Sequence, residues 1–274
     1  MVTETDLVLP DGRTLRVHDT GGPARLTVLW HHGTPNTGTP PAPLVRTSPD
    51  VRWVAYDRPG YGTSTPVPGR DVANAAECAT AVADALGLGE FAVMGHSGGG
   101  AHALACAALL PGRVVAAVSV SAMAPFDAAG LDWFGGMAAA SAASLRAAAE
   151  GRAAKEKHEA TAAFDPGIFT AADFAALEGS QSWLNDVVRA AQDGGNGGLI
   201  DDDLAYVTPW GCDPASITAP LLVLHGEDDR LIPATHGAWL AEHCPTAEFR
   251  AYPAEGHLSV LDHAADALEW LAHR

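Results

Sequence analysis

Phe91-Ala92-Val93-Met94-Gly95-His96-Ser97-Gly98-Gly99-Gly100 decides the fold of this chain. Four apolar residues of strand type run into Gly95-His96-Ser97-Gly98-Gly99, which reads G-x-S-x-G. A small, apolar stretch of helical character follows, up to Leu110. A strand, a sharp turn and a helix are the setting in which this pattern holds a serine on strained backbone. The neighbours must be small, because a larger side chain would strike the adjoining strand or helix. The turn lifts the hydroxyl out of the sheet and aims backbone N–H groups at the oxygen that it attacks. A glycine-rich turn closing an ordinary βα unit matches the same five letters, so they gain weight only from agreement elsewhere.

Outward from this stretch, apolar runs of strand type alternate with helical stretches. Residues 7–9 and 14–18 predict an opening hairpin turned at Asp11-Gly12. Residues 26–30, 51–56, 91–94, 114–120, 221–224 and 248–252 predict further strands. The central ones are continuously apolar, which suits strands buried on both faces of a parallel sheet. Residues 72–86, 99–110, 234–243 and 259–272 read as helices. The alternation predicts an α/β fold, a mostly parallel central sheet flanked by helices.

Residues 125–206 break the rhythm. They hold no strand pattern but have Ala-rich helical segments at 137–163 and 171–184, then the loose stretch Asp193-Gly194-Gly195-Asn196-Gly197-Gly198. The expected organisation is a core of residues 1–124 and 207–274 with a helical insertion at 125–206. The chain should return to the sheet through a flexible glycine-rich loop. That loop has no lysine and is followed by Asp201-Asp202-Asp203, so it reads as a linker rather than a phosphate cradle. No internal repeat is present.

The chain has 274 residues and is 47% hydrophobic, ample for one large domain with an insertion. Its net charge of −17 argues against nucleic acid and anionic membranes as partners, since both reward clustered Lys and Arg. No apolar stretch reaches the roughly 18 residues of a membrane span. Met1-Val2-Thr3-Glu4-Thr5-Asp6 lacks the basic and apolar regions of a signal peptide, and a cytoplasmic location is expected. Cys78, Cys106, Cys212 and Cys244 are scattered and read as free thiols. Neither they nor the histidines show zinc-ligand spacing, so no metal is expected. His31-His32 has no third ligand spaced to join it.

A serine hydroxyl is a weak nucleophile that needs a base, an acid to orient the base, and N–H donors for the oxyanion. Asp229 is the candidate acid, in His225-Gly226-Glu227-Asp228-Asp229 at the carboxyl end of the 221–224 strand, where ligand chemistry sits in open α/β sheets. Glu227 and Asp228 compete with it. His257 is the candidate base, in Gly256-His257-Leu258 after the last strand. The order Ser97, Asp229, His257 is the order that the nucleophile turn requires. The candidate oxyanion donors are the backbone N–H groups of Gly98 and Thr34. Thr34 lies in His31-His32-Gly33-Thr34-Pro35-Asn36, the loop after the 26–30 strand.

These residues resemble the α/β-hydrolase fold superfamily. His32-Gly33-Thr34-Pro35, Asp57-Arg58-Pro59-Gly60-Tyr61-Gly62-Thr63-Ser64, the serine turn, the 226–233 acid loop and Gly256-His257 match its signposts in order over nearly the whole chain. The resemblance implies that residues 57–64 form a structural turn beneath the site, with no chemistry of their own. It implies that residues 125–206 are a cap over the catalytic serine, with Trp133, Phe134, Trp183, Tyr206 and Trp210 as candidate pocket residues. Ordinary cap packing is the alternative for each. Epoxide hydrolases and haloalkane dehalogenases of this fold carry Asp where this chain has Ser97, which argues against both.

The chain is similar to the branch of proline iminopeptidases and esterase-like hydrolases. The iminopeptidase oxyanion loop reads H-G-G-P-G, however, against His32-Gly33-Thr34-Pro35-Asn36 here. An aminopeptidase also needs cap carboxylates for a free amine, and Glu178 is the candidate. The implied function is a cofactor-free serine hydrolase that acts through an acyl-enzyme on a small, fairly apolar ester, lactone or thioester. The same triad also serves aminopeptidases, C–C bond hydrolases and acyltransferases, and the fold serves ligand-binding or biosynthetic accessory proteins. The sequence does not give the oligomeric state.

Overall fold

A computed structural model describes residues 2–274. Eight strands form one sheet in the order β1-β2-β4-β3-β5-β6-β7-β8. β1 (Thr3–Val8) and β2 (Thr14–Asp19) form the opening hairpin, and β2 runs antiparallel to β4 (Val51–Tyr56). From β4 onward the sheet is parallel: β3 (Leu26–His31), β5 (Phe91–His96), β6 (Val114–Val120), β7 (Leu221–Gly226) and β8 (Ala247–Tyr252).

Two apolar cores explain why the central strands are apolar without interruption. Successive side chains of a strand point to opposite faces. In β5, Phe91 and Val93 enter one core, and Ala92 and Met94 enter the other. In β7, Leu221 and Val223 face the first core, and Leu222 and Leu224 the second. The first core is closed by α2 (Asn74–Ala85) and α3 (Gly98–Leu109), joined by Leu240 of α9 (Ala234–His243). The second is closed by α10 (Ala264–Leu271) and by Leu44 of α1 (Ala42–Thr47), a short helix that the sequence pattern did not reveal. The expected final helix is split, because a 3-10 turn over Ser259–His263 precedes α10.

Between β6 and β7 the described residues form no strand. They form α4 (Ala139–Ala149), α5 (Arg152–Glu159), α6 (Ala171–Glu178), α7 (Trp183–Asp193) and α8 (Gly197–Tyr206). The expected 137–163 helix is cut at Gly151, whose φ of 107° no helix accommodates. The 193–198 stretch is not a flexible linker. It ends α7 and starts α8, and Gly198 lies against the next layer. A Cβ there would sit 2.8 Å from the Tyr61 ring and 2.9 Å from Gly60 O. That glycine serves close approach rather than mobility. No helix of the described residues is long and apolar enough to cross a membrane.

Candidate active site

Parallel strands bring the loops after β3, β5, β7 and β8 to one edge of the sheet, and the candidate residues meet there. Ser97 follows β5 with φ 58° and ψ −128°, a conformation that L residues rarely adopt. Its N–H donates to Val120 O at 2.8 Å. The neighbouring glycines are required by space. A Cβ on Gly95 would overlap Gly99 O, and one on Gly99 would overlap His31 O. Backbone cannot yield as a flexible side chain can, so both positions exclude any larger residue.

Ser97 Oγ donates to His257 Nε2 at 2.9 Å, and His257 Nδ1 donates to Asp229 Oδ2 at 2.7 Å. All three residues are buried. Asp229 Oδ1 accepts the Leu231 and Ile232 N–H groups, each at 2.9 Å, which fixes the carboxylate in its turn. The competitors Glu227 and Asp228 are exposed. Burial alone would raise the pKa of Asp229. The charge of His257 and hydrogen bonds from His225 and His257 reverse this and hold it far below the usual carboxylate range. Burial alone would lower the pKa of His257. The Asp229 carboxylate outweighs that and holds the imidazole above its ordinary 6.5. His96 Nε2 donates to His257 O at 2.8 Å, and burial pushes its own pKa down to about 3, so it serves as a neutral brace.

Thr34 and Gly98 lie side by side, since a Cβ on Gly98 would fall 2.8 Å from Thr34 Oγ1. The Thr34 N–H has no acceptor among the described residues. His31 and His32 do not face a shared ligand. The His31 ring lies 3.5 Å from Cys106 Sγ, while His32 donates to Gly33 O and accepts the Arg58 N–H.

A cavity of about 530 Å³ opens above Ser97, Gly98 and Thr34. Met123, Leu231 and Ile232 line it from the sheet side, and α4, α5 and α8 line it from above. Of the five aromatic pocket candidates only Tyr206 is in its wall. The other four are packing residues. Trp133 donates to Ala124 O and lies edge-on to His236. Phe134 lies under Arg146 and against Trp133. Trp183 donates to Gln181 and meets Trp30 edge-on. Trp210 is buried and donates to Tyr206 O. An indole that must satisfy one N–H inside the protein is held by that bond and is not free to face a ligand. Glu178 is exposed at the end of α6, outside the cavity.

Two buried aspartates of the helical segment carry interactions that the sequence reading missed. Asp173, at the start of α6, accepts the Leu258 and Ser259 N–H groups at 2.7 and 2.9 Å, directly after His257. Asp202 of α8, given no role of its own in the sequence analysis, is fully buried between Arg58 and Arg70. Its companions differ: Asp203 pairs with Lys155 and Asp201 with Arg152. An acidic triplet gives no sequence signal of this, because its partners are more than 40 residues away in the chain.

The comparisons with known proteins agree with this architecture. A family model described as alpha/beta hydrolase fold matches residues 27–264. A non-heme chloroperoxidase from Burkholderia pyrrocinia is 31% identical over 226 residues, 77% of this chain and 77% of that protein. A 2-hydroxymuconate semialdehyde hydrolase from Pseudomonas putida is 30% identical over 266 residues, 94% of this chain and 89% of that protein. A solved thermophilic esterase from Thermogutta terrifontis superposes with a TM-score of 0.71 at 22% identity, covering 99% of this chain and all of that one. The chain belongs to the α/β-hydrolase fold family.

Proposed function

We propose that the chain is a serine hydrolase that cleaves a small, fairly apolar carboxylic ester, lactone or thioester through an acyl-enzyme. The observation that carries this reading is the line Ser97 Oγ, His257 Nε2, His257 Nδ1, Asp229 Oδ2, with gaps of 2.9 and 2.7 Å, at the floor of a cavity of about 530 Å³. Ser97 attacks the carbonyl and its proton passes to His257 Nε2. Asp229 stabilises the imidazolium. The Gly98 and Thr34 N–H groups receive the developing oxyanion, a contribution of about 3–4 kcal/mol each in comparable sites. His257 returns the proton to the leaving group, and a water that His257 deprotonates then releases the acid.

Features of the cavity favour this reading over two others. Its wall has no Lys or Arg among the described residues. A muconate semialdehyde, the compound in the name of the Pseudomonas putida relative, carries a carboxylate that would find no Lys or Arg there. The carboxylate expected to hold an aminopeptidase's free amine, Glu178, lies outside the cavity, and of the three carboxylates in the cavity wall Glu159 and Asp203 share Lys155 at 2.6 Å each, leaving Asp165. Hydrolysis of a series of p-nitrophenyl esters beside a proline arylamide tests the assignment. Turnover of short acyl esters and none of the arylamide is expected; the reverse would move the chain to the peptidase class.

A further inference from the structure

We propose that Asp202 is a positioning residue for the oxyanion loop, so that the helical segment completes the catalytic machinery as well as roofing it. This rests on the reading of Ser97 as the nucleophile.

The Thr34 hydroxyl has one proton to give and lies within reach of Asp202 and Tyr206. Asp202 is buried, and its carboxylate receives five donors: Arg58 Nε at 3.2 Å, Arg58 Nη2 at 2.6 Å, Arg70 Nη2 at 2.5 Å, Tyr61 Oη at 2.8 Å and Thr34 Oγ1 at 2.6 Å. Flanked by two guanidiniums, it is ionised and can only accept. The single Thr34 hydroxyl proton therefore points at Asp202. Thr34 Oγ1 is left with two lone pairs. Arg58 Nη2 lies 3.0 Å away, but its two protons go to Asp202 and Gly33 O at shorter range. Tyr206 Oη lies 2.8 Å away and, with the Thr34 proton already committed, must donate to one of the lone pairs. The hydroxyl is held as a donor to Asp202 and an acceptor from Tyr206, and these two bonds fix its rotation.

The same guanidinium clamps the backbone beside it. Arg58 Nη1 donates to His32 O, and Arg58 Nη2 donates to Gly33 O at 2.8 Å. The two carbonyls before Thr34 and its side chain are thus held by one ion pair, and what they hold is the peptide whose N–H faces the oxyanion. A preorganised donor gains its effect from not having to reorient as charge develops. Asp202 and Tyr206 both belong to α8, so the roof helix orients a donor it does not itself contain.

The test uses Thr34→Val, Thr34→Ser and Asp202→Asn in the full-length protein, with a p-nitrophenyl ester as substrate. Thr34→Val keeps shape and backbone but removes the hydroxyl. It should lower kcat by roughly ten- to a hundredfold with KM within about threefold, because the defect lies in the transition state. Inhibition by a trifluoromethyl ketone, which forms a tetrahedral oxyanion on Ser97, should weaken by the same factor, while inhibition by the product acid stays unchanged. Thr34→Ser should recover most of the loss. Asp202→Asn should fall in the same direction, and adding Thr34→Val to it should cost little more. If Asp202→Asn does not fold, the Thr34 pair decides alone. Thr34→Val with wild-type kcat, or with ketone and product affinities falling together, would overturn the inference. A wild-type protein that neither turns over esters nor reacts with the ketone would overturn the proposed function along with it.

Discussion

Ser97, the proposed nucleophile, sits in a backbone conformation that its side chain opposes. A residue held at φ 58° and ψ −128° stores roughly 1–3 kcal/mol, which glycine would not. Ser97→Gly should therefore unfold at a higher denaturant concentration than Ser97→Ala, by about 1 kcal/mol, while both lack turnover. Equal stability of the two variants would mean that the turn is not strained. In the proposed mechanism the base, His257, sets the pH dependence. His257 must be neutral to take the proton, and its pKa is held above 6.5. The acid limb of kcat/KM should have its midpoint above that value. Asp229→Asn should move the midpoint below it and reduce kcat by roughly 10⁴-fold. The same shifts act on stability. The folded pKa of His257 is raised, so its contribution is complete below about 6.5 and fades as pH rises through the folded value. That of Asp229 is depressed, so its contribution is complete above about 3.8 and fades as pH falls below it.

At the scale of elements, α8 and α6 are where structure goes beyond sequence. The two glycines that open α8 make opposite predictions. Gly197 has open space around its Cβ position and an ordinary φ, so Gly197→Ala should stabilise the chain by about 0.5–1 kcal/mol. Gly198 meets Tyr61 and Gly60 backbone, so Gly198→Ala should destabilise it by about 1–3 kcal/mol and lower kcat by disturbing the seat of Asp202. Thermal unfolding of the two variants checks both signs. Asp173→Ala strands the buried Leu258 and Ser259 N–H groups beside His257 and should cost about 2–3 kcal/mol.

What was legible in the sequence was what depends on neighbours along the chain. The β5 strand, the serine turn and the α3 helix read directly because each needs its residues in consecutive order. Ser97, Asp229 and His257 could be singled out because each follows a strand, and parallel strands bring their ends together. Asp202 and Asp173 could not be read this way, because their meaning comes from Arg58, Arg70 and Leu258, brought close only by packing. The aromatic residues failed as pocket markers for a related reason. A tryptophan fills a core as readily as a pocket, and only the destination of its N–H separates the two.

At the scale of the molecule, the sheet and the helical segment are joined by buried charge as well as by apolar contact. Asp202 of α8 is enclosed with Arg58 and Arg70, which precede β5 in the chain, and Asp173 of α6 closes on the loop after β8. Opening the roof would expose unpaired charges from both sides, so the two parts should unfold together. Far-ultraviolet circular dichroism and tryptophan fluorescence should trace one coincident urea transition, whereas separate midpoints would show that the roof opens on its own. The Asp202 carboxylate is held well below its ordinary 3.8, chiefly by the two guanidiniums against the opposing effect of burial. Its contribution is complete above that value and lost as the pH falls below it, so the transition should move to lower urea in strong acid.

The central claim is that Ser97 is an activated nucleophile. The most direct test is intact-mass analysis and peptide mapping after exposure to a fluorophosphonate. We predict one adduct per chain, carried on Ser97 and lost in folded His257→Ala. Folded wild-type protein that stays unlabelled, or carries its adduct on another residue, would contradict the account.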